Sequence, residues 1–229
     1  MKLKNIITAT LAATAMSASA ATISVNFREN NANQLIASGT SAGLGSETNW
    51  NDGNGANGTV GSLVDSDGST TTASVTWTSG GTWGDASANT DANAGVGDGQ
   101  MARGYLDDGG AGADFTVTGI TYASYQVVLY FATDTGGGIY RPVTINGSSF
   151  STTGTKQQYG TQPNWDATNS LSTGTNLSGN LVVDSLARNG AERASLAGFQ
   201  IIDTTPAPEP TSSVLLGLGG LALILRRRK

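Results

Sequence analysis

Residues 125–150 read YQVVLYFATDTGGGIYRPVTINGSSF, and this stretch decides the fold class. Its first seven residues are apolar on nearly both faces of an extended chain, as expected of a central strand that a second layer covers. Residues 141–145 then alternate and lead into Asn146-Gly147. Asn-Gly is the strongest short hairpin signal, because a type I′ turn needs positive φ at both positions. The stretch therefore predicts a β-sheet that contains a hairpin. Pro142 cannot donate to a strand ladder, so its strand should lie at an edge or begin there.

Alternation of period two recurs on both sides of this stretch. It is found in residues 22–28, 72–78, 115–118, 181–183 and 199–201. We find no convincing amphipathic helix between residues 22 and 205, apart from one short turn at 33–38. About eight short strands with Gly/Asn/Asp turns and no crossover helices predict an all-β fold, an antiparallel β-sandwich of jelly-roll type over residues 21–205. Two long Gly/Asn-rich stretches, 41–58 and 80–112, resist assignment to strands, and we interpret them as long loops, which are usually either functional or disordered.

Composition excludes several kinds of chemistry. The 229-residue chain has no His and no Cys, which rules out imidazole acid–base catalysis, His-zinc sites, thiol nucleophiles and disulfides. Any metal must be bound by oxygen, and Ca²⁺ is the best match. Residues 22–205 hold 6 basic and 16 acidic residues, a net charge of −10. A domain this acidic will not bind nucleic acid by neutralising phosphates, although it can gather cations.

The N-terminus has the three parts of a secretory signal peptide. Lys2 and Lys4 give a basic start, residues 6–16 form a short apolar run, and Ala18-Ser19-Ala20 matches an A-x-A cleavage site. We therefore expect residues 1–20 to direct Sec export, with cleavage after Ala20.

The C-terminus has a stiff Pro208-Glu209-Pro210 segment, an uncharged stretch at 211–225 and a basic Arg226-Arg227-Arg228-Lys229 end. A helix of that stretch would span about 22 Å, short of the ~30 Å hydrocarbon core, which suits transient insertion in the inner membrane. Residues 206–229 resemble a PEP-CTERM sorting domain, found in exopolysaccharide-producing Gram-negative bacteria. The resemblance implies a C-terminal apolar sorting helix, processing by an exosortase near the Pro-Glu-Pro, and a final place at the cell surface or outside the cell.

Two groups of acidic residues are candidate Ca²⁺ ligands. Asp65 and Asp67 open a sequence that resembles a calcium loop, but the EF-hand pattern breaks after them. Asp91 and Asp98 lie in the second long loop with equally loose spacing. The alternative interpretation of Asp65-Ser66-Asp67-Gly68 is a turn that uses Asp as a cap and Gly for its conformation.

Three tryptophans in polar, Gly/Asn-rich stretches are candidate sugar contacts: Trp50, Trp83 and Trp165. Exposed aromatic rings in loops can indicate a binding surface. The alternative is that each ring holds a loop onto the sandwich. Residues 197–202 are also similar to the last strand of galactose-binding-like jelly rolls.

No catalytic residue is assigned. Gly39-Thr40-Ser41-Ala42-Gly43 matches a nucleophile-elbow pattern, but the chain has no histidine base for it. Many carboxylate pairs exist, and the sequence singles out none for glycosidase chemistry. We therefore expect a non-enzymatic surface or biofilm-matrix protein associated with exopolysaccharide, and capable of binding carbohydrate. The alternatives are a carboxylate-dependent glycan-active enzyme and a purely structural matrix component.

Overall fold

The strands form two β-sheets in a computed structural model, which describes residues 20–85, 96–133, 142–150, 157–158, 165, 170–174, 176–185 and 194–206. The strands, in chain order, are β1 (Thr22–Arg28), β2 (Trp50–Asn54), β3 (Asn57–Val60), β4 (Ser74–Ser79), β5 (Gly81–Gly84), β6 (Gly104–Asp107), β7 (Ala113–Thr118), β8 (Tyr125–Thr133), β9 (Val143–Ile145), β10 (Ser148–Phe150), β11 (Gln157–Gln158), β12 (Ser170–Ser172), β13 (Leu181–Ser185) and β14 (Leu196–Asp203). One short α-helix, α1 (Val96–Met101), and a 3-10 helix at Ala32–Gln34 accompany them. The predictions for Ala18, Asp91 and the tail after Pro206 fall outside the described residues.

The main antiparallel strand pairs are nested along the chain, so that an early strand pairs with a late one and the strands between them pair with each other. In the first sheet β1 pairs with β14 and β8 with β12, and in the second β7 pairs with β13 and β9 with β10. Further antiparallel pairs, β14 with β8 and β13 with β9, join these within each sheet. The first sheet runs β11-β8-β14-β1-β2, and β12, β5 and β6 branch from it; the second runs β10-β9-β13-β7-β4-β3. The prediction of an all-β sandwich is confirmed.

The main hydrophobic core lies between the two sheets. Phe199 from the first sheet stacks on Phe115 from the second, with ring centroids 4.4 Å apart, and Phe27 packs against both. The inward residues of β8 join this core, whereas Val128, Tyr130 and Ala132 on its other face belong to a second apolar cluster. The interpretation of residues 125–131 as a central strand covered on both faces is therefore confirmed. Both clusters lie within Ala20–Pro206, which forms a compact unit with its own core.

The hairpin predicted at Asn146-Gly147 joins β9 and β10. Both residues have positive φ, 48° and 78°, as the type I′ turn requires. The Asn146 side chain also accepts a hydrogen bond from the backbone of Val182 at 2.7 Å, which ties the turn to β13. Pro142 directly precedes β9, so that strand begins after it, as predicted.

Local features differ from the sequence predictions. The two stretches interpreted as loops hold regular structure: β2 and the start of β3 lie in 41–58, and β5, α1 and β6 lie in 80–112. The short turn is a 3-10 helix at Ala32–Gln34 rather than at 33–38. The pairs β1–β2 and β11–β8 are parallel, although an antiparallel sandwich was expected. The parallel β1–β2 pair forms because the long connection at residues 29–49 returns the chain in the same direction. Helix α1 is held by close packing, since a Cβ on Gly97 would lie 2.1 Å from the Ser41 carbonyl oxygen.

Candidate functional site

The three candidate tryptophans contribute to the second apolar cluster, on the outer face of the first sheet. Trp50 begins β2 and Trp83 lies in β5, which corrects the expectation that these two rings lie in loops. Trp165 is only 6% exposed and makes an edge contact with Tyr130, with centroids 5.1 Å apart. This burial corrects the expectation that the Trp165 ring is exposed for sugar contact. Trp83 is half-buried and stacks on Tyr105 at 5.3 Å, so one face of its ring is covered.

Trp50 differs from the other two because it lines a pocket. The half-buried ring forms one wall of a cavity of about 240 Å³. The other walls come from Ser38, Thr48, Asn49, Asn51 and Val64. We call this cavity the Trp50 pocket. Its lining combines one aromatic ring and one aliphatic side chain with hydroxyl and amide groups, which are groups that can donate to and accept from a polar ligand.

The Trp50 ring is fixed from two sides. Its indole N–H donates to the backbone oxygen of Glu47 at 2.9 Å, and its ring packs at a tilt against Tyr130. Asn51 beside it bonds to the backbone of Ser24 and Val64, so its side chain joins β1, β2 and the following loop. The pocket wall is therefore set by the sheet and not by a free loop.

A buried polar network holds the connection that leads from β1 to Trp50 at the start of β2. The Tyr130 hydroxyl donates to Gln200 Oε1 and accepts from the backbone N–H of Leu44 at 2.9 Å. Gln200 in turn donates to Ser24 Oγ at 3.1 Å. Burial raises the pKa of the Tyr130 hydroxyl, and nearby carboxylates add to the effect.

Asp98, a candidate calcium ligand, also fixes this loop. It lies in the first turn of α1 and accepts a hydrogen bond from the backbone N–H of Gly43 at 2.7 Å. Burial raises the pKa of the Asp98 carboxyl, and the Gly43 hydrogen bond partly offsets that rise. The observed partner of Asp98 is thus the loop backbone.

The Asp65 turn lies beside the Trp50 pocket. Asp65 Oδ1 accepts hydrogen bonds from the backbone N–H groups of Asp67 at 3.0 Å and Ser69 at 2.9 Å, and Gly68 has a φ of 79°. This is the capped turn that was the alternative to a calcium loop. Asn49 of the pocket donates to the backbone oxygen of Ser66 at 2.8 Å, which links the turn to the pocket.

Burial raises the pKa of the Glu47 carboxyl, and the charge of Asp67 contributes a smaller rise. Across the part of the chain that the structure describes, no group of three or more carboxylates is arranged to hold a metal ion. Calcium binding at Asp65 and Asp67 therefore stays a prediction.

Sequence reasoning missed one pair of residues, Asp114 and Asp184. They are direct partners across β7 and β13 on the outer face of the second sheet. Burial, followed by the charge and the carboxyl contact of Asp184, raises the pKa of the Asp114 carboxyl. Both residues occupy outward positions of alternating strands, but the sequence alone does not reveal which strands are neighbours.

Comparison with known protein families gives one match, which lies in the tail. Residues 206–229 match the PEP-CTERM protein-sorting motif, so the resemblance of Pro208-Glu209-Pro210 and the basic end is confirmed. The motif supports an exported protein that an exosortase sorts. Comparisons with curated proteins and with solved structures gave no match. Among the described residues, no helix has both the length and the apolar character needed to cross a membrane.

Proposed function

We propose that this exported, exosortase-sorted chain is a non-enzymatic protein of the cell surface or extracellular matrix, which associates with exopolysaccharide by binding sugar at the Trp50 pocket. The observation that carries the proposal is the Trp50 ring, held rigidly in the wall of a cavity lined with hydroxyl and amide groups. The sorting motif supports the location, because it directs the chain to the surface where such polymers lie.

The lining of the Trp50 pocket suits a sugar residue. The aromatic ring offers a flat apolar surface for the C–H face of a pyranose, and it costs little entropy because its position is already fixed. The hydroxyls of Ser38 and Thr48 can both donate to and accept from sugar hydroxyls. A volume of about 240 Å³ lies below the roughly 300–1,000 Å³ of drug-sized pockets. The pocket therefore fits one sugar residue of a polymer.

The architecture supports a jelly roll, which we include in the proposal. Among the eight strands of the nested pairs, the first pairs with the last, β1 with β14, and the innermost two pair with each other, β9 with β10. The remaining pairs are β7 with β13 and β8 with β12. This is the order of an antiparallel ribbon folded over into two sheets. The other strands, β2–β6 and β11, extend the two sheets around it.

The glycan-active alternative has less support. Glycosidases hold their two carboxyl groups about 5–9 Å apart, to leave room for the bond that they cleave. Asp114 and Asp184 are in carboxyl-to-carboxyl contact, which is too close for that arrangement. We therefore keep binding without turnover as the proposal, with Ca²⁺ near Asp65 and Asp67 as an optional ligand.

Co-sedimentation of residues 20–206 with the host's own exopolysaccharide tests the proposal, with and without a chelator. We expect saturable binding that Trp50→Ala weakens at least about tenfold, equivalent to about 1.4 kcal/mol. Trp50→Phe keeps a stacking ring and should retain most of the affinity, which separates a binding effect from a folding effect. Trp83→Ala is the matched control, because that ring is equally half-buried but stacks on Tyr105 instead.

Unchanged binding by a folded Trp50→Ala variant would remove the Trp50 pocket from the proposal. Loss of binding with chelator would place Ca²⁺ in the site, and the same loss in Asp67→Asn would locate it at the Asp65 turn.

A further inference from the structure

The outer face of the second sheet carries exposed side chains such as Thr59, Thr76 and Thr78, and most outward residues of β4, β7 and β13 are polar. Thr59, Thr76 and Thr116 are partners across three neighbouring strands, and Thr78, Asp114 and Asp184 form the adjacent row. We call these six residues the threonine face. The inward residues between them, such as Val75 and Val117, belong to the main core, so the face is the solvent side of a well-anchored sheet.

The two carboxylates at its centre meet no basic side chain among the described residues that line the groove around them. Like charges directly opposite each other on neighbouring strands are destabilising. One oxygen of Asp114 is buried and has no hydrogen-bond partner among the described residues. The two aspartates line a groove of about 350 Å³, and its other lining residues are threonines and apolar residues. No basic side chain lines this groove in the described part of the chain, so a cation from a ligand would relieve the repulsion.

The shape of the face favours an extended polymer over a small ion. Hydroxyl groups repeat about 4.8 Å apart across the strands and about 6.7 Å apart along them, which gives a flat grid of donors and acceptors. Val182, which is 46% exposed, adds an apolar contact in the same row as Thr116. The net charge of −10 on residues 22–205 repels acidic polymers and attracts cationic ones.

We propose that the threonine face binds a cationic polysaccharide built from deacetylated amino sugars, with an ammonium group seated between Asp114 and Asp184 and the sugar hydroxyls on the threonine rows. This surface lies on the other sheet from the Trp50 pocket. The inference therefore stands without the proposed function.

Titration calorimetry of the full chain with a glucosamine hexamer tests the inference, at about pH 6 where the amines are protonated. The N-acetylglucosamine hexamer has the same length and ring but no charge. We expect the glucosamine hexamer to bind at least tenfold more tightly than its acetylated counterpart. Asp184→Asn should weaken that binding several-fold, and the double variant Asp114→Asn/Asp184→Asn should weaken it at least tenfold.

Asp203→Asn is the matched control, because it removes one carboxylate charge from the end of β14 in the first sheet. It should leave the affinity for the glucosamine hexamer unchanged. Circular dichroism tests whether each variant is folded. Because Asp184 is exposed, Asp184→Asn should leave the core undisturbed.

Equal affinity for the two hexamers would overturn the inference, and so would unchanged binding by the folded double variant. A third result would also overturn it: the natural chain binds calcium chloride but not the hexamer, and the double variant no longer binds calcium. The two aspartates would then form a metal site. Failure of the Trp50 variants to affect exopolysaccharide binding bears on the proposed function alone.

Discussion

Replacing Tyr130 by Phe should destabilise the protein much more than the loss of one oxygen atom suggests. The Tyr130 ring is fully buried, and its hydroxyl connects β14 to the loop that precedes β2 and Trp50. The ring itself would remain in place in Tyr130→Phe, so packing against Trp50 and Trp165 is retained. The variant thus isolates the hydrogen bonds of the network.

Two groups lose their partner in this variant: Gln200 Oε1, which is buried, and the N–H of Leu44. Leu44 is 45% exposed, so water can replace its partner and the expected cost there is about 0.5–1.5 kcal/mol. A buried polar group left without a partner costs about 1–3 kcal/mol. The two together predict a loss of about 1.5–4.5 kcal/mol in the free energy of unfolding. For a domain of this size, each kcal/mol lowers Tm by about 2–4 °C, so we expect a fall of about 3–18 °C.

Urea unfolding of residues 20–206, followed by tryptophan fluorescence, measures this loss. Tyr125→Phe is the control, because Tyr125 is also fully buried on β8 and donates to the backbone oxygen of Gly179 at 3.1 Å. Gly179 is exposed, so water can replace the lost partner, and the expected cost is about 0.5–1.5 kcal/mol. If Tyr130→Phe lowered the free energy of unfolding no more than Tyr125→Phe does, the hydrogen bonds of Tyr130 would not be what holds the loop before β2 in place.

Three further predictions concern other parts of the molecule. The pKa of the Asp114 carboxyl lies above its unfolded value of 3.8, so the folded state keeps the proton longer and stability falls as the pH rises through the folded pKa. Asp114→Asn should therefore raise the free energy of unfolding more at pH 7 than at pH 3. Urea unfolding of both proteins at both pH values measures this difference, and an equal effect at the two pH values would contradict the prediction. Phe199→Ala removes a stacked core ring and should cost about 3–5 kcal/mol in urea unfolding, with Phe199→Leu as the milder control, and a cost near zero would contradict the core assignment. Replacing Pro208-Glu209-Pro210 by three alanines should stop C-terminal processing in the host, seen by mass spectrometry as an uncleaved tail, whereas the same change at 203–205 should not.

The sequence predicted those parts of the fold that depend on neighbours in the chain. The Asn146-Gly147 turn needs only two residues that tolerate positive φ, and the strand at 72–78 needs only alternation. Helix α1 could not be predicted, because its six residues include two glycines and are stabilised by contacts with the distant Ser41. The parallel pairing of β1 with β2 likewise depends on how a long loop returns, which alternation does not encode.

The candidate site shows the same division. Trp50, Trp83 and Trp165 have similar polar sequence neighbours, yet one lines a pocket, one stacks and one is buried. The difference arises from Tyr130 and Tyr105, which project from other strands and decide what each ring meets. Sequence reasoning could name the tryptophans as a group, but only the tertiary structure selects Trp50.

The threonine face is where the sequence departs from what stability alone favours. Threonine suits an exposed strand position, because its branched side chain has a high β propensity. A threonine at Asp114 or Asp184 would continue the rows and remove the repulsion between the two carboxylates. Positions that break such a local rule are expected at functional sites, where binding compensates for lost stability. The Asp114→Thr/Asp184→Thr variant should accordingly be more stable than the natural chain and should lose the glucosamine hexamer. A variant that was less stable and still bound it would show that the carboxylates hold the sheet together instead.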